Sequence, residues 1–145
     1  MRKFLILTLA AGALAVPAAT AAPTHGKPGG PPPCHGKARV MVVLKGTLAN
    51  QPVAGDLLFQ LTVLHTNRWG RGYKNATQPY TINVDANTRY VKDGPSTLDK
   101  LTMGDQLVVK SKANRCDLRN ATDPASLPAL TAKMVVDQGL AVEPS

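Results

Sequence analysis

Apolar runs of membrane-spanning length, a CxxC pair and catalytic signatures are what this chain lacks, and each absence removes a class of function. Its single long apolar run, Phe4 to Val16, is 13 residues, short of the roughly 20 that cross a bilayer as a helix. A membrane anchor is therefore not expected. Only two cysteines occur, Cys34 and Cys116, and no CxxC pair, so a zinc ribbon or a thioredoxin-like redox centre lacks its minimum spacing. The sequence contains no GxSxG elbow, HExxH pair, glycine-rich phosphate loop or EF-hand ligand series. With four serines and His65 as the only histidine beyond the leader, a Ser-His-Asp arrangement has few parts to draw on. Asp93, Asp99 and Asp105 stand in turn chemistry and read as turn and cap residues rather than as an acid–base pair. The chain reads as a non-enzyme without a cofactor.

What is present begins with an address. Arg2 and Lys3, then the apolar run, then Ala19-Thr20-Ala21 form the charged, apolar and small-residue regions of a secretory signal. Residues 1–21 are expected to be removed on export, leaving the protein extracellular or periplasmic. Outside the reducing cytoplasm a Cys34–Cys116 disulfide is the default reading, with free thiols or a metal site as the alternatives. Its chain-entropy contribution would be at most about 4–5 kcal/mol. His25, Cys34 and His35 suggest a metal only if His25 is third in the mature chain, and cleavage after Ala21 spoils that register. No metal is assigned. Asn75-Ala-Thr77 and Asn120-Ala-Thr122 match the glycosylation acceptor pattern, which is coincidental if the source is bacterial.

Residues 22–37 hold five prolines and four glycines but no large apolar side chain, and read as a flexible leader. Residues 139–145 read as a tail. The span between, 38–138, is the expected domain, and period-two alternation predicts five strands in it. The first sets Val40, Val42, Leu44, Gly46 and Leu48 on one face. The second sets Leu57, Phe59, Leu61 and Val63 against Leu58, Gln60, Thr62 and Leu64. The third carries Tyr80, Ile82 and Val84, with a second short run through Tyr90 beyond Asp85–Asn87, and Asp93-Gly94-Pro95 breaks it. Ser96-Thr97-Leu98-Asp99 reads as a capping box opening one or two helical turns. The fourth strand, Gln106 to Lys112, sets Leu107, Val109 and Ser111 on one face; the fifth sets Leu130, Ala132, Met134 and Val136 there.

Five strands with a short helix between the third and fourth is the order of the OB-fold, a partly open Greek-key barrel. A two-sheet sandwich is the alternative. In that barrel the first strand runs antiparallel beside the fourth, which brings the flanking Cys34 and Cys116 together.

The segments VLKGTL (43–48), FQLTV (59–63), TINVDANTRYV (81–91), LDKLTMGDQLVVK (98–110) and LTAKMVV (130–136) resemble a family of small secreted bacterial domains of unknown function. The shared pattern is a strand ending in glycine, a V-x-V-x-x-x-T strand, a turn into G-D-x-[VL]-x-V and a final L-x-A-x-x-V strand. The resemblance implies an OB-like β-barrel and transfers no catalytic residue. Gly104 would permit the tight turn and Asp105 would bond the backbone where the strand begins.

The remaining signal is charge. Without the signal peptide, fifteen Lys and Arg face nine acids, a net +6, which favours contact with polyanions without specifying a fold. Arg68-Trp69-Gly70-Arg71-Gly72-Tyr73-Lys74 concentrates cations around the only Trp, with no acid between Leu57 and Val84. The barrel topology sets Lys110, Lys112, Arg115 and Arg119 at the same end. Arg68, Trp69, Arg71, Tyr73, Lys74, Lys110, Lys112, Arg115 and Arg119 are thus the expected binding rim. Aromatics would stack on bases or sugars and guanidinium groups would pair with phosphate or carboxylate. Two functions follow: a secreted structural or interaction module in which Trp69 is a lid over the barrel end, or a binder of an extracellular polyanion or anionic glycan.

Overall fold

The computed structural model describes residues 34–140; the expected signal peptide and most of the leader and tail lie outside them. The described chain is mostly β. Strands β1 (Arg39–Leu48), β2 (Leu58–Thr66), β3 (Tyr80–Asn83), β4 (Arg89–Val91), β5 (Pro95–Ser96), β6 (Asp105–Asn114) and β7 (Ala132–Leu140) form one sheet. Helices α1 (Arg71–Lys74) and α2 (Arg115–Asn120) and 3-10 turns at Leu98–Lys100 and Pro124–Ser126 connect them.

Alternation decides which side chains enter the core. On β1, Val42, Leu44 and Leu48 are buried while Met41, Val43, Lys45 and Thr47 face outward. On β2, Phe59, Leu61 and Val63 are buried and Leu58 and Leu64 exposed. Ile82, Leu107, Val109, Leu130 and Val135 complete the apolar centre. At Gly46 the β1–β2 register shifts, and a Cβ there would collide with the Thr62 carbonyl, so the bulge requires glycine.

The strand order is β3-β2-β1-β6-β7-β4-β5, a seven-stranded mixed sheet whose order does not close into a barrel. All pairings are antiparallel except β4 with β7. The expected five strands become seven because the third is cut in two and a two-residue strand is added. The cut is an Asp85–Thr88 turn, in which Asp85 Oδ1 accepts from the Asn87 N–H at 2.9 Å and Thr88 Oγ1 accepts from the Asp85 N–H at 3.0 Å. One parallel bridge, Asn83 to Thr131, sets β3 beside the residues that lead into β7, where the Asn83 N–H donates to the Leu130 carbonyl at 2.9 Å.

The expected face of the last strand fails partway. A register shift between Lys110 and Ser111 opposes Ala132 and Met134, so the inward residues are Ala132, Val135 and Asp137. The strand also runs on to Leu140, through residues expected to be tail. The expected helical segment is a three-residue 3-10 turn in which the Thr97 side chain makes no cap bond. Gly104 takes φ 96° and the Asp105 carboxylate accepts from the Thr102 N–H at 2.9 Å, both as expected of that turn.

Cys34 and Cys116 are joined, with sulfurs 2.07 Å and Cα atoms 5.0 Å apart. Asn114 Nδ2 donates to the Gly36 carbonyl at 2.9 Å, and the Arg115 N–H donates to the Ala38 carbonyl at 2.8 Å. The last leader residues are therefore tied to the start of α2. Among the described residues no helix is long and apolar enough to cross a membrane.

Candidate functional site: an arginine groove

The turn after β2 is fixed by one side chain. Asn67 Oδ1 accepts from the Val43 and Gly70 N–H groups at 3.3 and 3.1 Å, and its Nδ2 donates to the Met41 carbonyl at 2.8 Å. Gly70 is buried, and a Cβ there would come within 2.9 Å of Leu44 and 3.0 Å of Thr66. These constraints present Arg68 outward and press Trp69 partly into the core. The Arg68 guanidinium lies 4.7 Å from the Trp69 ring centroid, and that of Arg115, arriving from α2, lies 5.6 Å from it. Cation–π attraction holds all three together.

α1 forms the first wall of a groove of about 400 Å³. The second wall is α2 and the segment after it. Asn114 caps α2, its Oδ1 accepting from the Cys116 N–H at 2.8 Å, and the disulfide anchors the same helix. Asp123 caps the following 3-10 turn, accepting from the Ser126 N–H at 2.9 Å. The walls meet where Gly72 approaches Leu127; a Cβ on Gly72 would lie 2.9 Å from that side chain.

Arg68, Trp69, Arg71 and Arg119 all line this groove, together with Leu118 and Leu127. Arg115 joins them at the Trp69 ring. Asp123 is the only carboxylate in the lining. Among the described residues, none of the four guanidinium groups makes an ion pair.

The other expected rim residues are elsewhere. Tyr73 is fully buried, its hydroxyl donates to the Pro128 carbonyl at 2.8 Å, and its ring meets Tyr80 edge-on at 5.1 Å. Burial, with a smaller contribution from Tyr80, pushes its hydroxyl well above the ordinary tyrosine pKa. It is a core residue beneath the rim, because a helix as short as α1 must turn one side chain inward to be held at all. Lys74 is exposed on α1 and does not line the groove. Lys110 and Lys112 point outward from β6, and Lys112 lines a separate cleft with Lys37, Arg39 and Lys133.

Sequence reasoning missed Leu118, Asp123 and Leu127 as groove residues. Asp123-Pro124-Ala125-Ser126 carried a signal, a capping residue followed by proline at the first helical position. The groove has no paired acid and base, and Cys34, spent in the disulfide, is no thiolate ligand. What the arrangement can do is offer several charge-assisted donors at once. Compared with known proteins, the chain matches no family model, no curated protein and no solved structure.

Proposed function

We propose that this protein is a secreted, non-catalytic binding module on an OB-like open barrel, and that its arginine groove holds an anionic ligand. One observation carries the reading: Arg68, Arg71 and Arg119 line one groove with Trp69, Arg115 meets the same ring, and none of the four makes an ion pair among the described residues. Like charges brought together repel, at a cost that a bound anion relieves.

The OB-like reading is supported by the order of the long strands and by the Asn83–Thr131 bridge that draws β3 toward β7. Export is supported by the signal-like first 21 residues and by the disulfide. The family resemblance, with no catalytic residue to transfer, agrees with a non-enzyme.

The test is titration of the protein against a heparin-like glycan, single-stranded DNA and a neutral glycan at low and physiological salt. Saturable binding to an anionic probe is expected to weaken with salt, and Arg71→Ser or Arg119→Ser to weaken it further by about 1.5–3 kcal/mol each. No saturable binding to either anion at physiological salt overturns the reading. Reproducible hydrolase or transferase turnover abolished by one polar substitution overturns the non-catalytic half of it.

A further inference from the structure

Helix α2 separates two basic depressions. Its Leu118 and Arg119 line the arginine groove, whereas Asp117 lines a second cleft of about 600 Å³. That cleft holds Lys37, Arg39, Lys112 and Lys133 against Asp85 and Asp117. Lys133 is satisfied by Asp85 at 3.1 Å; Lys37, Arg39 and Lys112 make no ion pair among the described residues. Each depression therefore carries a surplus of positive charge.

The two are joined at Arg115. Asn114, the residue before it, lines the cleft and pairs with Arg39 across β1 and β6. The Arg115 side chain reaches the other way, to the Trp69 ring in the groove. Cations without an ion pair among the described residues therefore stand on both sides of α2, Arg71 and Arg119 in the groove and Arg39 and Lys112 in the cleft, with Arg115 between them in the chain. A single carboxylate or phosphate would occupy one end and leave the rest unpaired. A linear polymer with charge at every repeat would engage both.

The aromatic groups decide which polymer. Single-stranded nucleic acid is held by bases stacked on open rings. Here Trp69 already has two guanidinium groups at its ring and is partly packed into the core, Tyr73 is buried, and no aromatic lines the cleft. Guanidinium groups paired to carboxylates or sulfates need no ring. Resting on the groove reading above, we infer that the ligand is a linear acidic polysaccharide that spans the groove and the Lys37–Arg39–Lys112 cleft.

The experiment is calorimetric titration of the full secreted chain with heparin-derived chains of about two and about ten sugars, and with a thymidine homopolymer of matching charge. The comparison variant is Arg39→Ser with Lys112→Ser, its thermal transition checked first. The long chain is expected to bind at least about tenfold tighter than the short one. The double variant should remove most of that advantage and lower the salt slope for the long chain by about one to two. Equal affinity for both lengths, or a double variant that binds the long chain like the native protein, overturns the spanning site while the groove stands. A thymidine polymer that binds as tightly as the long sugar overturns the polysaccharide class. Absence of binding to every probe defeats the groove reading itself.

Discussion

The Arg68 guanidinium sits 4.7 Å from the ring centroid of its own neighbour, Trp69, so the only Trp of the chain serves a cation before it can serve a ligand. The Asn67 side chain imposes this by bonding both β1 and Gly70. Arg115 shares the ring from α2. In the proposed site Trp69 is a positioning residue for two arginines. Trp69→Ala is expected to weaken binding of a heparin-type chain by about 1 kcal/mol, roughly fivefold, with the salt slope unchanged. Trp69→Phe should retain most of the affinity. A Trp69→Ala protein that loses thermal stability but binds as before would make the ring a packing residue over the core.

The disulfide links fold to groove, because Cys116 lies between Arg115 and Leu118 on a helix of only six residues. A helix that short has no stability of its own. Replacing both cysteines by serine is expected to cost up to about 4–5 kcal/mol, since the bridge closes an 82-residue separation. Urea denaturation measures this. Affinity for an acidic chain should fall as well, because Arg115 and Arg119 lose their anchor. Native stability in the double serine variant would contradict the argument.

Much of the fold was legible where alternation is long. The buried faces of β1, β2 and β6 follow from Val42–Leu48, Phe59–Val63 and Leu107–Ser111, since a pleated strand with one buried face admits one register. The β7 face was not, because the shift opposite Lys110 and Ser111 leaves no mark in the hydrophobic pattern. α1 and α2 are too short for a helical period; the buried Tyr73 holds α1, and the Asn114 cap and the disulfide hold α2. The cations and Trp69 were visible as residues, but which of them meet depends on α2. Strand topology alone places Lys110 and Lys112 at the rim, and their outward position on β6 sends them away from it.

Tyr73 offers a control, being the one expected rim aromatic that is core. Tyr73→Phe removes the hydroxyl and orphans the Pro128 carbonyl, a loss of about 1 kcal/mol of stability. Affinity for any anionic chain should not change. Chemical denaturation and titration of the same preparation check both halves, and a selective loss of binding would return Tyr73 to the site.

At the far end of β6 from the groove, Lys92 Nζ lies 3.1 Å from Asp105 Oδ2 and 2.7 Å from Asp137 Oδ2. The register explains the meeting: Val91 pairs with Val136, which sets Lys92 beside Asp137, and Asp137 pairs with Leu107, two residues from Asp105. Burial pushes the Asp105 carboxyl up, but bonds from the Thr102 N–H and Lys92 outweigh it and hold the pKa below the ordinary 3.8. The ion pair with Asp137, and then the hydrogen bond to Asp105, raise Lys92 above 10.5. A depressed acid stabilises the fold above its unfolded pKa and loses that contribution as pH falls through the folded value. A raised lysine contributes fully below its unfolded pKa and loses it as pH rises through the folded one. Stability is therefore expected to hold between these limits and to fall at both ends. Asp105→Asn should flatten the acid limb below pH 3.8. Lys92→Met leaves two buried carboxylates facing each other and should cost about 2–3 kcal/mol at neutral pH, less than for a fully buried pair because the Lys92 side chain is 34% exposed. Urea denaturation of the three proteins from about pH 2 to about pH 11 tests this; an acid limb in Asp105→Asn as steep as in the native protein would assign the acid sensitivity to other carboxylates.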